Sequence, residues 1–313
     1  MSDEFERIAR LRERFQSVVS SDVLVGIGDD AAVIAASPDN LALSVDSAVE
    51  GVHFERSFGS LHAIAARAFT AAISDLAAMA ARPSSALSSL ILPPLTEAEF
   101  DELCAGLADA SARYRCPIVG GNLASGRELS ITTTVIGRLS GRGLSRAGAK
   151  PGDRICVTGP LGSAALGLLL LQRMAAERGP LFVERFRSPH ARIAEAEQIR
   201  DFASAAIDVS DGTLQDLGHV CAASGCGAEL SAAALPFEPG FTDLARALGV
   251  DPLTLALFGG EDYELIYTVP EDARSIGPGR CIGRITSQRD ILVLDEHGHA
   301  IELSGRGYRH FAR

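Results

Sequence analysis

Carboxylates stand in this sequence at the ends of apolar runs, where side chains can do chemistry. Asp29-Asp30 follows Gly26-Ile27-Gly28, Asp46 follows the run LALSV, and Asp75 lies inside ISDLAAMAA. Asp208 and Asp211 frame Ser210 in AIDVSDG, and Glu261-Asp262 follows Gly259-Gly260 in LFGGEDYEL. Any one of these acids is accounted for as a helix cap or turn residue, because Asp bonds readily to nearby backbone amides. Together they suggest a shared task. If they converge, repulsion decides the chemistry: two carboxylates ~4 Å apart repel by about 4 kcal/mol at an effective dielectric of ~20. Such a cluster stays ionised only beside multivalent cations. Hard oxygen donors select Mg²⁺, which bridges to phosphate oxygens. The expectation is an acid-lined Mg²⁺–nucleotide site.

Other phosphate-binding devices are weak. Gly26-x-Gly28-x-x-Ala31 has a loose dinucleotide spacing, but Asp29 and Asp30 fill its variable positions and would repel a pyrophosphate. Gly143-LSRA-Gly148 has the outer spacing of a P-loop, yet Ala149 follows it and Lys150 comes one position late. Gly120-Gly121-Asn122 is either an ordinary turn or a place where backbone approaches a ligand closely. Of the histidines, only His53 falls near the acids. Neither G-x-S-x-G nor H-E-x-x-H occurs, so a side-chain nucleophile is not supported. The six cysteines form no C-x-x-C pair and have no histidine at zinc spacing, which predicts reduced, buried thiols.

The whole chain narrows the classes further. A net charge of −11 argues against broad nucleic-acid binding, which needs a basic face. At 47% hydrophobic and 22% charged residues, the 313-residue chain cannot be wholly disordered. Its longest apolar stretch, 163–171, is too short for a membrane span, and MSDEFERIAR has no signal-like apolar core. A soluble, cytoplasmic protein with no membrane partner is expected.

The elements that must position the acids follow from periodicity. Helices are predicted over 3–17, 62–81, 96–114 (opened by the capping box Thr96-x-x-Glu99), 162–176, 189–203, 212–224 and near 241–248. Strands are predicted at 24–27, 31–34, 41–45, 85–92, 118–119, 130–137, 154–158, 205–209, 228–231, 264–269, 281–285 and 291–294. The stretch RLSGRGLSRAGAKPGD, rich in glycine and cations, marks a boundary between domains 1–138 and 139–313. Runs of strands and then helices favour α+β layers over a doubly wound sheet.

At these residues the chain resembles the thiamine-monophosphate kinase family, ATP-dependent members of the aminoimidazole-ribonucleotide-synthetase-like superfamily. The resemblance rests on GIGDDAAVI (26–34), SVDSAVEGVHF (44–54), SDLAAMAARP (74–83), GGNLASGRELSI (120–131), RAGAKPGDRICVTGPLG (146–162), AIDVSDGTLQDLGHV (206–220), GGEDYELIYTVP (259–270) and GYRHF (307–311). They stand in family order and span nearly the whole chain. The resemblance implies an N-terminal α+β domain whose sheet pairs with its copy in a homodimer, then a C-terminal α/β sandwich. It implies direct transfer of the γ-phosphoryl group of ATP to thiamine monophosphate, giving thiamine diphosphate. Asp30, Ser44, Asp46, Asp75, Asn122, Asp208 and Asp211 are then the Mg²⁺ ligands. Tyr114, Gly121, Arg146 and Ser210 contact ATP, and His53, Glu261 and Tyr308 contact the thiamine phosphate. Arg146 and Asp211 stand closest to the catalysis.

Five positions depart from the family pattern. Gly-Gly-Asp-Thr reads Gly120-Gly121-Asn122-Leu123, and Ser-Thr-Asp reads Ser44-Val45-Asp46; Ala72 replaces an Asn and Ala80 a Gly. Changes around a metal typically cost ~10–100-fold in affinity or activity. Two readings stay open: an active kinase in which the Asn122 amide oxygen meets the metal, or a divergent paralogue that binds nucleotide with an altered substrate or weak or no kinase activity.

Overall fold

In a computed structural model, residues 4–15, 20–27 and 31–303 are described. The chain divides into two compact units, one of Met1–Leu76 and Ala81–Gly141, the other of Ala77–Ala80 and Arg142–Arg313. Both mix helix and sheet, so the fold is α+β.

The first unit runs α1 (Glu4–Phe15), β1 (Val23–Val25), β2 (Val33–Ile34), β3 (Asn40–Val49), α2 (Leu61–Ala78), β4 (Arg82–Leu92), α3 (Glu97–Arg113), β5 (Ile118–Ser125) and β6 (Ser130–Leu139). β1 and β2 form a small hairpin, and a four-stranded sheet has the order β3-β6-β4-β5. Its strands are antiparallel except for the parallel β4–β5 pair. Alternation splits the residues between two faces. Val135, Ala86, Ile131 and Leu90 lie on the buried face. α2 covers that face, with Leu76 against Gly137. α3 opens with the expected capping box, Thr96 Oγ1 accepting from Glu99 N and Glu99 accepting from Thr96 N. It lies so close to α2 that a Cβ on Gly106 would stand 2.1 Å from the His62 carbonyl oxygen. The opposite face carries the exposed Leu41, Leu43, Val45, Leu87 and Ile91.

The second unit continues with β7 (Arg154–Val157), α4 (Ser163–Gln172), α5 (Pro180–Arg187), α6 (Ile193–Ile199), β8 (Ala205–Asp208), α7 (Thr213–Ser224) and β9 (Gly227–Ser231). It ends with α8 (Phe241–Ala247), α9 (Pro252–Phe258), β10 (Leu265–Val269), β11 (Arg280–Thr286) and β12 (Ile291–Leu294). Its six-stranded sheet has the order β12-β9-β11-β7-β10-β8. Alternate residues feed two cores. Ile155, Val157, Ile207 and Ile266 pack with α7 and α9 on one face. Cys156, Ala206, Leu265 and Tyr267 pack with Ala196 and Ile199 of α6 on the other. The result is the helix–sheet–helix sandwich that the resemblance implies. Two helices, α5 and α9, were not predicted, and β5 runs six residues past the two-residue strand expected there. Among the described residues no helix is long and apolar enough to cross a membrane. The six cysteines are free thiols, five of them buried. Burial pushes Cys104, Cys116, Cys156 and Cys221 up to about 12, which leaves them unreactive at neutral pH.

Candidate functional site

In the first unit, β3 and α2 bring two of the expected residues into contact: Ser44 Oγ donates to Asp75 Oδ2. α2 carries Asp75 half-buried among apolar neighbours. Asp46, two residues along β3 on the same face, bonds the amide of Ser47 through Oδ1 at 2.7 Å. Across the sheet its row continues through Thr133 and Ser88 to Gly121. The Ser88 and Thr133 hydroxyls are buried in that row with no hydrogen-bond partner. Gly121 is required here twice over: its φ is 157°, and a Cβ would lie 1.8 Å from the Ser88 carbonyl oxygen.

Asn122 falls elsewhere. Register puts it in the row Ser47–Thr132–Ser89–Asn122, on the opposite face from Ser44 and Asp46. The structure therefore does not gather Asn122 with Ser44, Asp46 and Asp75. Gly121 and Asn122 line a cavity of about 1000 Å³ between α1, residues 26–27 and 31–34, and strands β4, β5 and β6. Tyr114 is buried at the C-terminal end of α3. His53 Nδ1 accepts from the Val49 amide at 3.1 Å, which leaves the proton of a neutral ring on Nε2. Asp30 and Tyr308 lie outside the described residues.

In the second unit, the turn from β8 into α7 carries Asp208, Ser210 and Asp211. Asp208 is 4% exposed and pairs in register with Leu265. Asp211 Oδ2 accepts from Gln215 Nε2 at 2.8 Å. One residue that sequence reasoning passed over holds this turn. The buried Asp216 uses a single oxygen, Oδ2, to accept from the amides of Ser210, Asp211 and Gly212 at 3.0, 3.1 and 3.0 Å. Burial pushes its carboxyl up to about 7, and Asp208 and Asp211 add to the rise against the amides that hold it down. An acid in the first turn of α7 was the available signal.

Glu261 stands directly beside this turn. Its amide donates to Ser210 O at 2.9 Å, and that of Tyr263 donates to Val209 O at 2.9 Å. Arg146 is exposed on a loop tied to β8 by the bond from Ala206 N to Ser145 O, 2.9 Å. Ser224, at the end of α7, donates to Arg146 O at 3.2 Å and accepts from Gly148 N and Ala149 N.

All the donors in both units are oxygens, which suits a hard cation. Among the described residues, no three acidic, histidine or cysteine groups stand ready to hold a metal ion.

Comparison with known proteins gives consistent matches. A family model described as AIR synthase related protein, N-terminal domain, matches residues 28–139. The thiamine-monophosphate kinase of Escherichia coli strain K12 is 39% identical over 327 residues, covering 99% of this chain and 98% of the relative. The crystal structure of thiamine-monophosphate kinase from Stenotrophomonas maltophilia K279a superposes with a TM-score of 0.84 at 33% identity, over 95% of this chain and 98% of that one. A structure of AaThiL complexed with AMPPCP and TMP superposes with a TM-score of 0.81 at 31% identity, over 98% of this chain and 97% of that one.

Proposed function

The chain belongs to the thiamine-monophosphate kinase family, and from that premise we propose that it phosphorylates thiamine monophosphate with ATP in an Mg²⁺-dependent reaction. An oxygen of the thiamine phosphate attacks the γ-phosphorus of ATP, the bond to the ADP oxygen breaks, and thiamine diphosphate and ADP leave. No phosphorylated enzyme intervenes. The observation that carries the reading is full-length kinship with a protein whose structure holds AMPPCP and TMP.

Both reactants are anions, so alignment and positive charge do most of the catalysis. Mg²⁺, when bound, would supply positive charge that offsets the repulsion between the two anions. In the first unit, Asp75, oriented by Ser44, would hold it with Asp46 and Asp30, and Asn122, on the opposite face of the sheet, would meet a separate ion. In the second unit, Asp208 and Asp211 would be the Mg²⁺ ligands, on a turn that Asp216 keeps in shape. Gly121, Tyr114 and Ser210 bind the nucleotide, and the exposed Arg146 guanidinium meets charge on the transferred group. His53, Glu261 and Tyr308 bind the thiamine phosphate, His53 as an Nε2–H donor. No side-chain base is needed, because a phosphate monoester is largely ionised near neutrality. The protein acts as a homodimer formed through the apolar sheet face of its first unit.

Asn122 and Val45 favour the second reading, a nucleotide-binding paralogue without this activity. Incubation with ATP, thiamine monophosphate and Mg²⁺ separates the two. Stoichiometric ADP and thiamine diphosphate, both abolished by EDTA, are expected. Nucleotide binding without thiamine diphosphate would establish the paralogue instead.

A further inference from the structure

Behind Glu261, the second unit builds an arrangement that the proposed chemistry leaves unused. Residues 261–264 alternate in role. Glu261 and Tyr263 sit at φ 67° and 52°, left-handed conformations that non-glycine residues rarely adopt. Asp262 and Glu264 turn their carboxylates inward. Asp262 Oδ2 accepts from Gly162 N at 2.5 Å and Oδ1 from Ala164 N at 3.0 Å, which fastens the segment to the N-terminal end of α4. Glu264, 3% exposed, is held by Arg192 through Nε and Nη2 and by Thr158 Oγ1. On the other side, the amides of residues 261 and 263 are bonded to the Val209–Ser210 backbone. The strained residue 261 is therefore held on both sides, by its own amide bond to Ser210 O and by the anchor of the next residue, Asp262. Without the Asp262 anchor the segment is held on one side alone, and residue 261 can turn about its bond to Ser210 toward an ordinary φ and carry its side chain with it.

We infer that Asp262 is a positioning residue: fastened to the α4 amides, it holds Glu261 in the left-handed conformation from which Glu261 binds the thiamine phosphate. This rests on the reading of Glu261 as an acceptor-binding group. Steady-state kinetics on the full chain, varying each substrate in turn, test it. Asp262→Ala is expected to raise the KM for thiamine monophosphate about tenfold or more while the KM for ATP stays within about twofold. Asp262→Asn, which keeps one acceptor oxygen, is expected to recover part of the loss. Glu261→Gln should raise the same KM, and the double variant should lose no more than Glu261→Gln alone, because Asp262 acts through Glu261. An unchanged acceptor KM in Asp262→Ala overturns the inference. So do losses that multiply in the double variant or fall equally on both substrates. If Asp262→Ala fails to fold, the same comparisons are read from Asp262→Asn. An unchanged acceptor KM in Glu261→Gln overturns the placing of Glu261, and the role of Asp262 falls with it. A wild type that makes no thiamine diphosphate overturns the kinase reading itself.

Discussion

Residue 122 is where an amide stands in place of the carboxylate of the family pattern, and the sheet register gives that change a location. Asn122 shares a row with Ser89, Thr132 and Ser47, away from Asp75. Any metal it meets is therefore bound apart from the Ser44–Asp75 pair, with phosphate oxygens and water as the other ligands. A carboxylate at this position adds a full charge to a weak oxygen donor. Asn122→Asp is expected to lower the Mg²⁺ concentration for half-maximal ADP release by about tenfold, the lower end of what outer contacts to a metal contribute. An Mg²⁺ titration of wild type and variant checks this, and an unchanged requirement removes Asn122 from the metal. The acids themselves were legible in the sequence because apolar neighbours made their charge conspicuous. What they bond to was not. Asp262 was visible in GGEDYEL, but the amides it caps lie about a hundred residues earlier in the chain, and only the folded sheet brings them together.

At the scale of elements, the loops that carry the second unit's groups are set by close backbone contact. The loop from α9 into β10 lies against the β8–α7 turn so tightly that a Cβ on Gly260 would stand 2.1 Å from Ser210 O. Gly260→Ala must push Glu261 and the Asp208–Asp211 turn apart. Displacements of ~1 Å at a reacting centre can cost about 100-fold, so kcat/KM is expected to fall by about that factor. Thermal melts alongside the assay show whether fold survives, and full activity in a folded Gly260→Ala protein would mean that this contact does not set the geometry. Periodicity predicted the long elements α2, α3, β4 and β6 closely, because each buries a continuous stripe. It missed α5 and α9, of 8 and 7 residues, although Pro180 and Pro252 stand at their first positions. Helices so short are stabilised by packing rather than propensity: Gly167 of α4 admits the Phe182 carbonyl of α5, whose oxygen would stand 2.0 Å from a Cβ there. β5 extends through Gly120-Gly121-Asn122 because parallel pairing with β4 imposes strand geometry on residues that favour turns.

At the scale of the whole molecule, the open face of the first unit's sheet is the surface on which the proposed homodimer would form. β3 is an edge strand of 10 residues, and Leu41, Leu43 and Val45 on it are 53%, 65% and 62% exposed. Leu87 and Ile91 of β4 continue the same face at 38% and 41% exposure. A long apolar edge with unpaired backbone groups invites uncontrolled association unless something covers it. The net charge of −11 does not prevent a second copy from doing so. Asp46, the single charged residue of β3, points to the other face, so two such faces meet without opposed acids. Beyond ~8 Å the remaining charges are screened at physiological ionic strength. Wild-type protein is therefore expected to run in light scattering or sedimentation at twice its 32.8 kDa chain mass. Placing like charges on the face, in a Leu43→Glu, Val45→Glu variant, is expected to shift it to the monomer mass while circular dichroism stays unchanged, because both side chains already face outward. A monomeric wild type, or a charged variant that still dimerises, would show that the copies meet through some other surface.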